Sequence, residues 1–139
     1  MLHCVFLLSS FLYIASASQQ TVAVEGIVVC NGKPYKDAKI KIYEKDTLHD
    51  DELARVYSDA NGHFKAAGTQ SEFLGIQAHM NLYHKCDMPF LKRLVPTCYY
   101  KAKFTVPSRY ISTGSIASET WNAQTIELSL FTKETDCLN

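Results

Sequence analysis

Three features are missing from this chain of 139 residues: an excess of charge of one sign, a long apolar run and a helical hydrophobic period. The 14 Lys and Arg residues are balanced by 14 Asp and Glu residues, so the net charge at pH 7 is zero. A general nucleic-acid-binding protein is strongly basic, and the sequence therefore predicts no nucleic-acid partner. Disorder is excluded as well, because 47% of the residues are hydrophobic. The length is that of one folded domain.

The sequence also lacks the patterns of common catalytic and metal sites. It contains no Gly-x-Ser-x-Gly nucleophile elbow, no phosphate-binding P-loop and no Cys-x-x-Cys pair. His79 and His84 are five positions apart, which on a strand places them on opposite faces, so they cannot bind one metal ion together. The acidic residues at 46 and 50–52 lack the spacing of a calcium-binding loop. We therefore predict no catalytic, metal or cofactor site, and a protein that is not an enzyme.

The first 17 residues have the properties of a secretory signal peptide. Residues 1–17 contain no Lys, Arg, Asp or Glu, and they end in Ala15-Ser16-Ala17, a pattern that signal peptidase recognises. Their apolar stretch is too short to cross a bilayer as a helix, and no other run is long enough. We expect cleavage after Ala17, one domain over residues 18–139, no transmembrane segment, and secretion to the extracellular space.

Cleavage would leave an even number of cysteines. They are Cys30, Cys86, Cys98 and Cys137. In an oxidising compartment, four cysteines favour two disulfides. If the strands on either side of residues 87–97 form a hairpin, and the first and last strands run parallel, the pairs are Cys86–Cys98 and Cys30–Cys137. The alternative is Cys30–Cys86 with Cys98–Cys137.

Apolar and polar residues alternate along most of the remaining chain, which is typical of half-buried strands. The apolar positions of the clearest runs are Val22, Val24 and Val28; Ala38, Ile40 and Ile42; Phe64 and Ala66; Leu74, Ile76, Ala78, Met80, Leu82 and His84; Tyr100, Ala102 and Phe104; Ile126, Leu128 and Leu130. These runs predict an all-β sandwich of about seven strands. Residues 59–62 (DANG) predict a tight turn, residues 44–52 an acidic loop, and Gly68 the end of a strand.

Several segments carry a family pattern when they are taken in order. They are residues 24–34 (VEGIVVCNGKP), 38–44 (AKIKIYE), 57–64 (YSDANGHF), 82–86 (LYHKC), 106–111 (VPSRYI) and 136–137 (DC). Each is weak alone, but the ordered set covers nearly all of residues 22–138 and resembles the nematode transthyretin-like family. The resemblance implies a secreted, transthyretin-like or immunoglobulin-like β-sandwich and no particular reaction. One role proposed within that family is the bridging of a cell surface to a receptor.

The wider superfamily includes two activities that this sequence does not support. Transthyretin itself carries thyroid hormone, and a relative hydrolyses 5-hydroxyisourate with a Tyr-Arg-Gly-Ser ending. This chain ends in residues 134–139 (ETDCLN), so that ending is missing. Because a shared fold does not transfer function, we assign no residue of either site to this chain.

Charges of opposite sign are segregated along the sequence. Residues 44–52 contain five acids and one Lys, whereas residues 85–109 contain six bases and one acid. Lys39 and Lys41 point the same way on one predicted strand, as do Lys101 and Lys103 on another. If these strands pair, the four lysines form a basic plate that attracts anionic head groups, at about 1 kcal/mol per lysine. The alternative is the ordinary polar outer face of a sandwich.

Together these observations predict a secreted, non-enzymatic module that binds or bridges extracellular surfaces. Its expected partner is an extracellular protein receptor or an anionic cell surface, and the surface-binding residues would be Lys39, Lys41, Lys101 and Lys103. The alternative function is that of a carrier with a small hydrophobic ligand inside the sandwich or at a dimer seam. The sequence implies no cofactor for either function.

Overall fold

The computed structural model describes residues 18–45, 50–72 and 76–139. The strands there are β1 (Ser18–Cys30), β2 (Lys33–Pro34), β3 (Lys39–Lys45), β4 (Asp50–Tyr57), β5 (His63–Glu72), β6 (Ala78–His84), β7 (Tyr99–Thr105), β8 (Ile111–Thr113), β9 (Thr120–Glu127) and β10 (Glu134–Asp136). The helices are α1 (Phe90–Arg93) and two 3-10 helices, Ser108–Tyr110 and Leu128–Leu130. The signal-peptide prediction, Asp46 and Leu74 fall outside the described residues. No helix within them is long and apolar enough to cross a membrane.

The strands form two sheets that enclose one core, which confirms the predicted all-β sandwich. In the first sheet β1 pairs with β2, β5, β8 and β9, and in the second sheet the order is β10-β7-β6-β3-β4. β1 runs antiparallel to β5, from Ser18 opposite Glu72 to Ile27 opposite His63, and parallel to β9. All neighbours in the second sheet are antiparallel.

The core is built from the inward positions of the predicted alternating runs. Its fully buried members include Val22, Val24 and Val28 of the first sheet, and Ile40, Ile42, Met80 and Leu82 of the second. Each such side chain stabilises the fold by about 1.5–3 kcal/mol relative to an exposed one. The predicted turn at residues 59–62 is also confirmed: Asp59 Oδ1 accepts the N–H groups of Asn61 and His63, each at 2.9 Å.

Two strand boundaries in the first half of the chain were predicted wrongly. Residues 44–52 were expected to be a loop, but β3 extends to Lys45 and β4 begins at Asp50, opposite Lys45. Gly68 was expected to end a strand, yet β5 continues through it. A Cβ at this position would lie 2.5 Å from the carbonyl oxygen of Leu53. The glycine therefore lets β5 of the first sheet lie close to β4 of the second sheet.

The predicted last strand is wrong in its second half. β9 ends at Glu127, and the alternation stops because residues 128–130 form a 3-10 helix that buries Leu128 and exposes Leu130. The chain then passes to the second sheet, where β10 pairs antiparallel with β7. The described residues contain ten strands rather than about seven, and the difference comes mainly from two- and three-residue strands such as β2, β8 and β10.

The two expected disulfides are present, but the preferred pairing was wrong and the alternative is correct. Cys30 bonds Cys86, with their Cα atoms 5.8 Å apart, and Cys98 bonds Cys137, with theirs 4.0 Å apart. β1 does run parallel to the late strand β9, as expected. β10 then moves to the other sheet, where Asp136 lies opposite Tyr99, so Cys137 arrives beside Cys98. Cys86 is buried between the sheets and meets Cys30 of the first sheet.

Peptide mapping would test this connectivity directly. Tryptic digestion of the oxidised protein should join residues 94–101 to residues 134–139 through Cys98 and Cys137, and should join residues 86–92 to the peptide that contains Cys30. A peptide in which residues 86–92 are linked to residues 94–101 would contradict the structure. Digestion after reduction and alkylation is the control, because it should release all four peptides separately.

Candidate binding surface at the disulfide-linked end of the sandwich

The four lysines of the predicted plate lie on one outer face of the second sheet. The plate was predicted on the condition that the two lysine-bearing strands, β3 and β7, pair with each other. They do not, because β6 lies between them. The register places Tyr83 between Lys39 and Lys101, and Asn81 between Lys41 and Lys103. The lysines are therefore two pairs separated by a strand that carries no charge at these positions.

Carboxylates of β10 neutralise one of these pairs. Lys101 Nζ lies 2.9 Å from Asp136 Oδ2 and 3.6 Å from Glu134 Oε1, and Lys103 Nζ lies 3.1 Å from Glu134 Oε2. The hydrogen bond that Lys101 donates to Asp136 raises the pKa of Lys101, and the hydrogen bond that Glu134 accepts from Lys103 lowers the pKa of Glu134. Both lysines thus already have counter-ions, which weakens their attraction for an external anion.

The other pair is largely engaged with aromatic rings. Lys39 Nζ lies 4.9 Å from the ring centre of Tyr83 and 5.1 Å from that of Tyr99, and it donates a hydrogen bond to Asn139 Oδ1. Burial lowers the pKa of Lys39, with a further contribution from Lys41. Lys41 Nζ lies 5.5 Å from the Tyr83 ring. These cation–π contacts hold both ammonium groups against the sheet.

The two histidines lie on opposite faces of β6, as predicted. His79 is on the outer face and stacks on Tyr43, with ring centres 5.4 Å apart. His84 is buried, its Nδ1 accepts the N–H of Cys86 at 3.1 Å, and burial lowers its pKa to about 4. Within the described residues, one group of three potential metal ligands lies close together: Cys30, Cys86 and Asp87. Its two sulfurs form a disulfide, so they offer no thiolate to a metal.

A more exposed feature is the segment between β6 and β7, which we call the apolar loop (residues 89–97). Phe90 and Leu91 of α1 are 70% and 78% exposed, and Leu94 and Val95 are 61% and 43% exposed. Four large apolar side chains within six positions are unusual at a protein surface and typically mark an interaction site. The sequence pattern predicted only a loop between two strands here. The run FLKRLV between Pro89 and Pro96 was nevertheless a usable signal, because it fits neither a strand nor a core helix.

The apolar loop is fixed at both ends and across its middle. Cys86 precedes it and Cys98 follows it, and each is covalently bonded to another part of the sandwich. Lys85 Nζ donates to the carbonyl oxygens of Arg93 and Val95, at 3.1 and 3.0 Å. Arg93 Nη2 donates to the carbonyl oxygen of Met88 at 2.9 Å. The exposed side chains are therefore presented on a braced backbone.

Four basic residues lie within the apolar loop or beside it, and we call this set the basic rim. Its members are Lys85, Lys92, Arg93 and Lys133. Lys92 Nζ donates to Thr135 Oγ1 at 2.6 Å and lies 4.8 Å from the Tyr100 ring, and Lys133 Nζ lies 6.0 Å from the same ring. Asp87 is the one acid in residues 85–98 and accepts a hydrogen bond from Asn31 at 2.7 Å. An apolar tip with a cationic border suits an anionic, partly apolar partner.

Comparison with known proteins identifies the class of this sandwich. The family model described as "TTR-52: Transthyretin-like family" matches residues 25–107. The chain belongs to the transthyretin-like family, as the sequence resemblance indicated.

Similar proteins from Caenorhabditis elegans match most of the chain. Transthyretin-like protein 46 is 35% identical over 86% of this chain and 66% of its own length. Transthyretin-like protein 2 is 33% identical over 86% of this chain and 84% of its own. Transthyretin-like protein 33 is 34% identical over 86% of this chain and 83% of its own.

Proposed function

We propose that this protein is a secreted, non-enzymatic binding module that attaches to anionic lipid surfaces through the apolar loop. The observation that carries the proposal is the exposure of Phe90, Leu91, Leu94 and Val95 inside the basic rim. With one end of the sandwich attached to a membrane, the remaining surface is free to engage an extracellular protein receptor. Such a module would bridge the two.

Burial of apolar area and attraction of charge contribute separately to this attachment. Each large apolar side chain that leaves water contributes up to about 1.5–3 kcal/mol. Each basic residue near an anionic surface contributes about 1 kcal/mol, and this part weakens as salt rises. The lysines of the second sheet contribute less in this proposal, because Lys101 and Lys103 are paired with Glu134 and Asp136.

Rigidity of the apolar loop favours binding as well. A flexible loop loses conformational entropy when it attaches, at about 0.5–1.5 kcal/mol for each side chain that becomes immobilised. The backbone of this loop is already held by the two disulfides and by the Lys85 and Arg93 hydrogen bonds. Less of the interaction energy is then spent on ordering it.

Vesicle sedimentation across a salt series tests the proposal. The oxidised protein should bind phosphatidylcholine vesicles that contain phosphatidylglycerol, should bind pure phosphatidylcholine less, and should lose part of its binding as salt rises. The double variant Leu91→Ser/Leu94→Ser should weaken binding about tenfold or more, because two apolar side chains no longer insert. Ile116→Ser is the matched control, since Ile116 is 83% exposed outside the apolar loop.

Two results would count against this proposal. Equal losses in the double variant and in Ile116→Ser would mean that the apolar loop has no special role. A loss of binding in Lys41→Gln/Lys103→Gln with none in Leu91→Ser/Leu94→Ser would move the binding surface to the outer face of the second sheet, as first expected from the sequence.

A further inference from the structure

Residues 134–139 engage most of the lysines on the outer face of the second sheet, and we call this segment the acidic cover. The two carboxylates of β10 form ion pairs with Lys101 and Lys103. Asn139 accepts a hydrogen bond from Lys39. One short segment therefore occupies three of the four lysines of the predicted plate. If the segment moved away, these ammonium groups would lose the partners that it supplies.

Apart from one disulfide, only weak contacts hold the acidic cover in place. Residues 129–139 are all exposed or half-buried, so no buried side chain anchors the cover to the core. β10 is an edge strand that pairs with β7 over three residues, and Lys92 donates one hydrogen bond to it. Such contacts do little to offset the conformational entropy of the segment. The bond between Cys98 and Cys137 is therefore the main fastening of the cover.

This disulfide is also the more accessible of the two. Cys137 is exposed and Cys98 is half-buried. In the other disulfide Cys30 is half-buried and Cys86 is only 4% exposed. Because a thiolate must reach a sulfur atom to open a disulfide, access helps to determine which bond reacts first. A small thiol such as glutathione should therefore open Cys98–Cys137 before Cys30–Cys86.

Reduction of the exposed bond is an exchange with two thiol molecules. The thiolate of the first attacks Sγ of Cys137, the S–S bond breaks, and Cys98 leaves as a thiolate that takes up a proton. A second thiolate then attacks the sulfur of the first thiol in the mixed disulfide, and Cys137 leaves in the same way. The two thiols end as one disulfide, and the protein gains the two electrons and two protons that they lose.

The lysines beneath the cover form a compact group of cations. Lys39 and Lys101 lie opposite Tyr83 from either side, on strands about 10 Å apart. Lys41 and Lys103 lie two positions further along the same strands, at about 7 Å from the first pair. Tyr83 is buried, so it offers no exposed apolar side chain between the lysines for insertion into a bilayer. This face suits a soluble polyanion better than a membrane.

We propose that the acidic cover masks a binding surface for a sulfated polysaccharide, and that reduction of Cys98–Cys137 by a small thiol uncovers it. Such a polymer presents closely spaced anions, which four neighbouring cations attract over a range of several ångströms. The masked surface depends on the proposed function only in that the protein must be extracellular, where these polymers occur. It lies on a different face from the apolar loop, so either proposal can fail while the other stands.

Calorimetric titration with heparin at low and high salt tests the proposal. The oxidised parent protein should bind heparin weakly. Cys98→Ser/Cys137→Ser keeps the other disulfide and should bind at least about tenfold more tightly, with a gain that shrinks as salt rises. Glutathione treatment of the parent, stopped when mass spectrometry shows one reduced disulfide, should give the same gain. Lys101→Gln/Lys103→Gln in the cysteine variant should remove the gain.

A variant that keeps both disulfides tests the masking by itself. Glu134→Gln/Asp136→Asn removes the counter-charges of the cover and should also strengthen heparin binding, so it remains informative if the cysteine variant does not fold. Glu25→Gln/Glu119→Gln is the matched control, because it removes the same charge beside the first sheet. This control should bind heparin like the parent protein.

Three results would overturn the proposal. The first is equal heparin affinity in the oxidised parent, the glutathione-treated parent and the variant that lacks the counter-charges. The second is a gain that persists when Lys101 and Lys103 are replaced, since the polymer would then bind elsewhere. The third is an equal gain in the matched control, which would show that net charge alone is responsible. Vesicle sedimentation measures the apolar loop separately, and none of these results would change its outcome.

Discussion

Replacement of Gly62 by Ala is expected to lower the free energy of unfolding by about 3–5 kcal/mol. Gly62 has a φ of +79°, a conformation that disfavours any side chain. A Cβ would also lie 2.3 Å from the carbonyl oxygen of Val28. That carbonyl accepts the N–H of Tyr35, and Val28 donates its own N–H to the carbonyl oxygen of Gly62. The added methyl group would therefore push apart the start of β5, the end of β1 and the end of β2.

Gly32→Ala is a matched control for this prediction. Gly32 has nearly the same φ, +78°, but a Cβ there would have no neighbour within 4 Å. It should cost only about 1–2 kcal/mol, the penalty for the backbone conformation alone. Urea unfolding of the oxidised proteins measures both values. A difference below about 0.5 kcal/mol between the two variants would show that the contact with Val28 is not limiting.

The second large effect is a loss of stability at acidic pH that originates at His84. The pKa of this residue falls from its ordinary value of 6.5 to about 4 in the folded protein, because burial disfavours the charged ring. Between these two values the unfolded chain binds the proton and the folded chain does not, so stability decreases as the pH falls from about 7 to 4. The expected loss is about 2–3 kcal/mol. Below pH 4 this residue causes no further loss.

Urea unfolding at a series of pH values between 7.5 and 4.5 measures this contribution. His84→Asn keeps an acceptor for the N–H of Cys86 and cannot take up a proton, so its stability should change less over this range than that of the parent protein. His63→Gln, at the exposed start of β5, is the control for the loss of an imidazole as such. If His84→Asn showed the same slope as the parent protein, the loss would have to come from other groups. His79 is one of these, because burial lowers its pKa as well.

The sequence predicted the core well because one physical rule governs it. Wherever a strand is buried on one face only, apolar residues must alternate, and Ala38, Ile40 and Ile42 follow this rule with no exposed member. The rule fails where the backbone stops being extended. Leu128 keeps its inward position but Leu130 does not, because the 3-10 helix changes the direction of each following side chain. The strand β10 was missed for the same reason, and the disulfide pairing was wrong as a consequence.

The candidate surface was harder to predict than the core. Alternation placed Lys101 and Lys103 on an outer face correctly, but it could not show that Glu134 and Asp136 would be their neighbours, since these residues are more than 30 positions away in the chain. The exposure of Phe90 and Leu91 was equally hard to predict, because apolar residues are normally expected to be buried.

The disulfide pairing has a consequence for how the molecule is connected. Cys30–Cys86 lies wholly before the apolar loop, and Cys98–Cys137 lies wholly after it. Each sheet nevertheless pairs a strand that precedes the apolar loop with a strand that follows it. In the first sheet β1 pairs with β9, and in the second sheet β6 pairs with β7. A single break within residues 89–97 would therefore give two separately cross-linked pieces that interlock only through strand pairing and the shared core. The segment that faces the proposed membrane is also the one covalent joint between the two halves of the sandwich.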